Sequence, residues 1–277
     1  MTGCSTKSPP KLLWAEEFDS LDLRTLENPN GRWGSTDVAQ PLGKGYADFG
    51  AGGHRCWFAS PDQELGGVRY NPFSVRDSVV TITAQRTPAA ALSDAQGCPW
   101  IGGLLTSNTR IPSMVFGYGY YEFKMRLPNP GRGMFPALWF YAADGLNPST
   151  KNGAEIDLLE VFGDASGSPW TSSLHMVNNM GKGTARQAFI KDTRSTTSWH
   201  TYGLNWTSQR LGFYRDRKLI HEVTGPDAEF FAGCRMSIRM DYSMDAEFFG
   251  ADNLADTSTP SRLLLEIDYV RKYARPF

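Results

Sequence analysis

Apolar and polar residues change places one by one through much of this chain, and that period constrains its fold more than any other feature. Tyr121, Phe123, Met125 and Leu127 alternate with Tyr120, Glu122, Lys124 and Arg126, and Val80, Ile82 and Ala84 alternate with Thr81, Thr83 and Gln85. The pattern returns where Tyr202, Leu204 and Trp206 share a face, and where Leu263, Leu265, Ile267 and Tyr269 oppose Glu266 and Asp268. Successive side chains of a strand point to opposite faces, so each segment predicts a half-buried strand. Clusters rich in Pro, Gly and Asn lie between them, LPNPGRG at 127–133, NPSTKNG at 147–153 and TGPD at 224–227, and such clusters reverse a chain. No amphipathic segment of helical length, internal repeat or low-complexity linker interrupts the series. The expectation is an all-β fold, a β-sandwich of two curved antiparallel sheets packed face to face.

The length of 277 residues fits a single all-β domain. A net charge of -1 supplies no attraction for a polyanion, so no nucleic-acid partner is expected. No run of eighteen apolar residues encodes a membrane span. Residues 1–10, MTGCSTKSPP, lack the basic and apolar regions of a signal peptide, although TGC before a polar run is similar to the end of a lipoprotein signal. Cys4, Cys56, Cys98 and Cys234 have no CxxC spacing, which argues against zinc and leaves any pairing open, Cys56 with Cys98 being one candidate bridge. Aromatic residues make up 13% of the chain, and most must pack the core; only rings lining a cleft would bind a ligand.

One apolar segment carries a conflict. In GAEIDLLEVFGD, residues 153–164, Glu155 and Asp157 share a strand face while Ile156 and Leu158 point to the core. Glu160 lies five positions after Glu155, so regular alternation would bury it with Ile156, where an unpaired carboxylate is costly to ionise. A β-bulge at Leu158 and Leu159 removes the conflict, because one extra residue returns Glu160 to the face of the other acids. A solvated strand face explains a single acid pair, but three acids in a row repel one another and point to function. A cation site would need more oxygens than a straight strand aims at one point. Retaining glycoside hydrolysis needs two carboxyl groups about 5 to 5.5 Å apart. Glu155 and Glu160 would be spaced roughly 13 Å along the backbone, a gap that long side chains on a concave sheet narrow. Asp157 between them is placed to hydrogen-bond Glu155, and the clustered charge would keep Glu160 protonated.

EIDLLE resembles the E-x-D-x-x-E signature of glycoside hydrolase family 16, in the branch with a bulged catalytic strand. LLWAEEFD, YGYYEFKMRLPNPGRGMFPALWFY, HTYGLNWT and IDYVRKY resemble further segments of that family in the same order, across residues 13 to 273. The resemblance implies a jelly-roll sandwich, one catalytic domain over 13–277 after a tail of residues 1–12, with a polysaccharide or oligosaccharide in an open cleft. It implies Glu155 as nucleophile, Asp157 as assisting acid and Glu160 as general acid/base. His175 matches a histidine near the acids and Trp139 a tryptophan near the cleavage point. Phe135 stands where laminarinases usually have Trp, and Trp57 with Phe58, Asn71 and Trp170 are candidate sugar contacts in or beside loops that depart from the family pattern. Trp199 and Trp206 are expected in the core. Asp268 resembles the ligand of a structural calcium ion, with Glu17 as candidate partner, and catalysis needs no cofactor. The expected activity is a retaining endo-β-glycanase, monomeric and extracellular or cell-surface, acting on β-1,3 or β-1,4 bonds of a β-glucan or bacterial exopolysaccharide. Transglycosylation on the same substrates and a lectin-like sandwich that only binds sugar are the rival readings.

Overall fold

The structure is a computed structural model and describes residues 8–36, 40–47, 56–142, 146–147, 151, 153–163, 170–176, 184–186, 195–246 and 251–277. Among these, twelve strands of five or more residues carry the fold: β1 (Leu12–Glu16), β2 (Val79–Arg86), β3 (Trp100–Ser107), β4 (Gly119–Arg126), β5 (Met134–Tyr141), β6 (Glu155–Val161), β7 (Trp170–Met176), β8 (His200–Trp206), β9 (Arg210–Arg215), β10 (Lys218–Thr224), β11 (Ser237–Met244) and β12 (Arg262–Tyr273). No described helix is long and apolar enough to cross a membrane. The expected all-β sandwich is what these residues form.

Antiparallel pairing divides the strands into two sheets. In sheet I, β12 is flanked by β4 on one edge and by β1 and β2 on the other, and β4 leads on through β8 and β9 to β10. Sheet II runs β3, β11, β5, β6, β7. The LPNPGRG turn carries the chain from β4 in sheet I to β5 in sheet II. Strand β3 belongs to both sheets: Trp100 and Ile101 pair with β2, whereas Gly103 to Thr106 pair with β11. Gly102 sits at that crossing, and a Cβ there would lie 2.1 Å from the Tyr242 carbonyl oxygen, so only glycine lets the backbones approach.

The alternation read from the sequence places the core between the sheets. Tyr121, Phe123 and Met125 of β4, Tyr202, Leu204 and Trp206 of β8, and Leu263, Leu265 and Ile267 of β12 are all buried in one cluster with Leu138, Phe140, Ile156, Ile238 and Met240 of sheet II. Two departures have physical causes. Glu122 on the outer side of β4 is fully buried rather than solvated, and its charge is met by the Arg217 guanidinium at 2.8 and 3.0 Å and by the Tyr269 hydroxyl at 2.9 Å. Tyr269 reaches it because the β4–β12 register shifts where Lys124 pairs with Tyr269 and Met125 with Ile267, leaving Asp268 as an extra residue. That bulge turns Tyr269 outward and Val270 into the core, against the regular alternation expected of 263–269.

Trp206 is core as expected, but Trp199 is half-buried at the surface, with Lys124 5.4 Å and Arg126 4.7 Å from its ring centre. A Cys56–Cys98 bridge is not formed: Cys56 packs in the main core and Cys98 in a separate small cluster with Trp57, Leu65 and Ile101. Cys4 lies outside the described residues.

Candidate active site

Strand β6 lies between β5 and β7, and its register on both sides contains the expected irregularity. Asp157 pairs with Trp139 and Ser173, and Glu160 pairs with Ala137 and Thr171. Two steps on each neighbour match three on β6, which is the two-against-one count of a bulge. Leu158 and Leu159 both stay in the core, and the Leu158 carbonyl accepts a 2.7 Å bond from the buried Ser172 hydroxyl. The bulge therefore leaves this buried acceptor satisfied.

Because of that inserted residue, Glu155, Asp157 and Glu160 share the face of sheet II turned away from the core. Their neighbours across the strands are Tyr141, Trp139 and Ala137 on β5, and His175, Ser173 and Thr171 on β7. One strand further, Ser237, Arg239 and Asp241 of β11 stand opposite Tyr141, Trp139 and Ala137. Asp157 is buried, while Glu155 and Glu160 are half-buried.

The carboxyl groups are linked to one another. Asp157 hydrogen-bonds Glu155. The Ser173 hydroxyl donates to Asp157 Oδ2 at 2.7 Å and also touches Glu160 Oε2. His175 Nε2 lies 3.1 Å from Asp157 Oδ2 and 3.7 Å from Glu155 Oε1. Burial holds the Glu155 carboxyl well above the ordinary range, with the Asp157 charge adding to the effect and His175 opposing it. Burial raises Asp157 well above its ordinary value, reinforced by Glu160, and burial raises Glu160 against the Ser173 hydrogen bond and His175. Three acids that resist ionisation titrate as one cluster.

Trp139 stands beside the acids as expected. Its indole donates a 2.7 Å bond to Asp241, and the Arg239 guanidinium lies 4.7 Å from its ring. Phe135 continues the same face beyond Ala137, half-buried against Phe162 at 5.5 Å. The other candidate sugar contacts are elsewhere. Trp170 is 1% exposed and packs edge-on against Tyr202 in the core, so it offers no open ring face. Trp57 and Phe58 are each 4% exposed and form no open platform. Asn71 is exposed, but it caps the Phe73 amide at 3.0 Å and borders a cavity of about 270 Å³ lined also by Arg69, Gln85 and Arg262, away from the acids. The loop stretches at 48–55 and 164–169 beside these residues lie outside the described residues.

The two carboxylates expected to hold calcium do not fit that ion here. Asp268 is bonded by Lys124, and Glu17 is held by both arms of Arg271 at 2.8 and 2.7 Å. Neither belongs to a group of three His, Cys, Asp or Glu donors close enough to share an ion, among the described residues.

Sequence reasoning missed Ser172 and Ser173 and the pair Arg239 and Asp241. The signal was present: Thr171, Ser173 and His175 alternate with buried Ser172 and Leu174, and Arg239, Asp241 and Ser243 alternate with Ile238, Met240 and Tyr242.

Comparison with known proteins agrees with this fold. The chain is 29% identical to the endo-1,3-1,4-beta-glycanase ExsH of Rhizobium meliloti over 94% of its own length, and it spans 51% of ExsH. It is 24% identical to a beta-glucanase of Rhodothermus marinus, covering 97% of this chain and 87% of that one. The catalytic domain of an endo-1,3-beta-glucanase (laminarinase) from Thermotoga petrophila superposes with a TM-score of 0.63 at 17% identity, over 96% of this chain and 98% of the other. The model of glycosyl hydrolases family 16 matches residues 69–269, and the chain belongs to that family.

Proposed function

We propose that this protein is a retaining endo-β-glycanase that hydrolyses internal β-1,3 or β-1,4 bonds of a polysaccharide. The observation that carries the reading is the bulge in β6, which turns Glu160 to the face of Glu155 and Asp157. Glu155 attacks the anomeric carbon while Glu160 gives its proton to the departing glycosidic oxygen, forming a glycosyl ester on Glu155. Glu160, now a carboxylate, takes a proton from water, whose oxygen attacks the same carbon and releases Glu155. Asp157, bonded to Glu155, orients the nucleophile. This chemistry asks for no cofactor.

The half-buried Trp139 beside Asp157 suits the apolar face of a sugar ring. A binding-only sandwich would have no use for a nucleophile and an acid at the cost of three crowded carboxyl groups. The similarity to ExsH, an endo-1,3-1,4-beta-glycanase, supports a β-1,3/1,4-linked glycan as substrate, and a β-glucan or exopolysaccharide with such bonds is met outside the cell or at its surface. The test is incubation with laminarin, mixed-linkage glucan, galactans and bacterial exopolysaccharide, with product sizes read by mass spectrometry and the first-formed anomer by NMR. Short β-anomeric oligosaccharides are expected from at least one β-1,3 or β-1,4 polymer; an α-anomer as first product refutes retention.

A further inference from the structure

We infer that Ser173 is a positioning residue for the acid/base: its single hydroxyl bridges Asp157 and Glu160 and fixes the reactive proton on Glu160. The inference rests on the reading of Glu160 as the proton donor.

The Ser173 oxygen is within hydrogen-bond distance of Asp157 Oδ2 and of Glu160 Oε2. A hydroxyl has one proton and donates one bond at a time. Were both carboxyl groups ionised, one of these contacts would set lone pair against lone pair, so one of the acids must itself donate to Ser173. The neighbours decide which. Asp157 Oδ2 also faces His175 Nε2 at 3.1 Å, while Asp157 bonds Glu155 as well. Asp157 Oδ2 is thus the acceptor that His175 Nε2 and the Ser173 hydroxyl share. Ser173 donates to Asp157, its lone pair is left facing Glu160, and Glu160 donates. Among the described residues, the charged and titratable groups around these bonds are Glu155 on the same strand, His175 on β7, and Arg239 and Asp241 on β11; β5 contributes uncharged Trp139 and Ala137 at these positions.

The hydroxyl then has a role in both halves of the reaction. When Glu160 passes its proton to the leaving oxygen, the Ser173 O–H turns from Asp157 to the new carboxylate and steadies it as a base. When Glu160 recovers a proton from water, the O–H turns back. No proton crosses Ser173 and none is lost.

The test is the pH profile of kcat/KM for wild type, Ser173→Ala and Ser173→Thr. Removing the hydroxyl that meets Glu160 in both of its protonation states displaces the basic limb of Ser173→Ala by about one unit, the worth of one hydrogen bond to a charged or acidic group. Threonine, which keeps the hydroxyl, restores the limb. A serine that served only packing would change melting temperature or KM and leave the limb where it is. An active Ser173→Ala enzyme with an unmoved limb overturns the inference while leaving the glycanase reading intact; an inactive wild type damages that reading first. A second measurement needs neither turnover nor a folded Ser173→Ala protein. The wild type at neutral pH should show a protonated-carboxyl stretch in the infrared that disappears in Glu160→Gln, and absence of that band in wild type also overturns the proposal.

Discussion

Two bulges of similar form have opposite surroundings. In β6 the extra residue at Leu158 brings three acids to one face, with His175 as the base that contacts them; in β12 the extra residue Asp268 meets Lys124, while Glu266 next to the bulge meets Arg126. Both irregularities re-aim carboxylates. At β12 each charge is balanced by a cation at the surface, an arrangement that contributes little and asks for no function. At β6 three carboxyl groups crowd one another around the buried Asp157, with His175 as the base in contact among the described residues, and protons relieve their repulsion, which is what acid and base catalysis requires. A bulge supplies geometry, and the crowding of like groups supplies chemistry.

The comparison breaks most completely if the β6 bulge is deleted. Removing Leu158 takes out the extra residue and leaves Glu155, Asp157 and Glu160 at alternate positions, so all three still face outward, but Glu160 stands one residue nearer along the chain and one of two core leucines is gone. Losing a buried leucine costs about 2 to 5 kcal/mol. Activity should fall, because Glu160 loses its spacing from Glu155, with a broad loss of melting temperature. The counterpart, removing Asp268 from β12, should reduce stability and leave kcat measurable. Equal activity loss from both deletions would erase the distinction.

Single side chains come next. Glu155→Ala should abolish turnover, and Glu160→Ala should lower kcat by about 10²- to 10⁴-fold for substrates with poor leaving groups. Oligosaccharide binding, measured by calorimetry, should survive in both, because Trp139 and the rest of the face remain. Near-normal hydrolysis by either variant would contradict the assignment of the acids.

Asp157→Asn separates catalysis from stability. Burial raises the Asp157 carboxyl above its ordinary value of 3.8, so folding favours its protonated form. The stability it contributes is complete below the unfolded value and is lost as pH rises through the folded one. The neutral amide escapes that loss. The variant should therefore melt higher than wild type at neutral pH, by about 2 to 4 °C for each kcal/mol regained, with the gap closing as pH falls toward 3.8. Its kcat should drop, since Glu155 and Ser173 lose the carboxyl group they bond. A gap that widens toward acid pH reverses the sign and refutes the account.

The two bulges also show why one was legible in the sequence and the other was not. Glu160 violated the alternation of its strand, and the cost of burying an unpaired carboxylate left a bulge as the economical solution. Tyr269 violated nothing. Its ring is compatible with either face, so 263–269 read as unbroken alternation although Asp268 is inserted. The same ambiguity misplaced Trp57 and Trp170, because an indole looks alike in a core and in a cleft. Trp199 erred the other way, since the arginine and lysine that cover it come from β4. Ser173 was legible as a residue of an alternating face but not in its role, which depends on cross-strand register with Asp157, and register is not written in either strand alone.

The smallest effect lies at the neutralised bulge. Asp268 is 30% and Lys124 35% exposed by side chain, so their pair contributes about 0 to 1 kcal/mol. Lys124→Met should shift the melting temperature slightly at low salt and less at high salt, with kcat unchanged, because the pair is remote from the acids of β6. The variant also decides whether Asp268 takes a cation when one is offered. In wild type the carboxylate already has Lys124, and added calcium or a chelator should leave melting unaltered. In Lys124→Met the freed carboxylate still belongs to no group of three acidic, His or Cys donors among the described residues, so calcium and a chelator should leave that variant's melting unaltered as well. A wild type that loses several degrees on chelation would show that a metal ion displaces Lys124, and the contrast between a charge-balanced and an unbalanced bulge would then rest on an ion as well as on side chains.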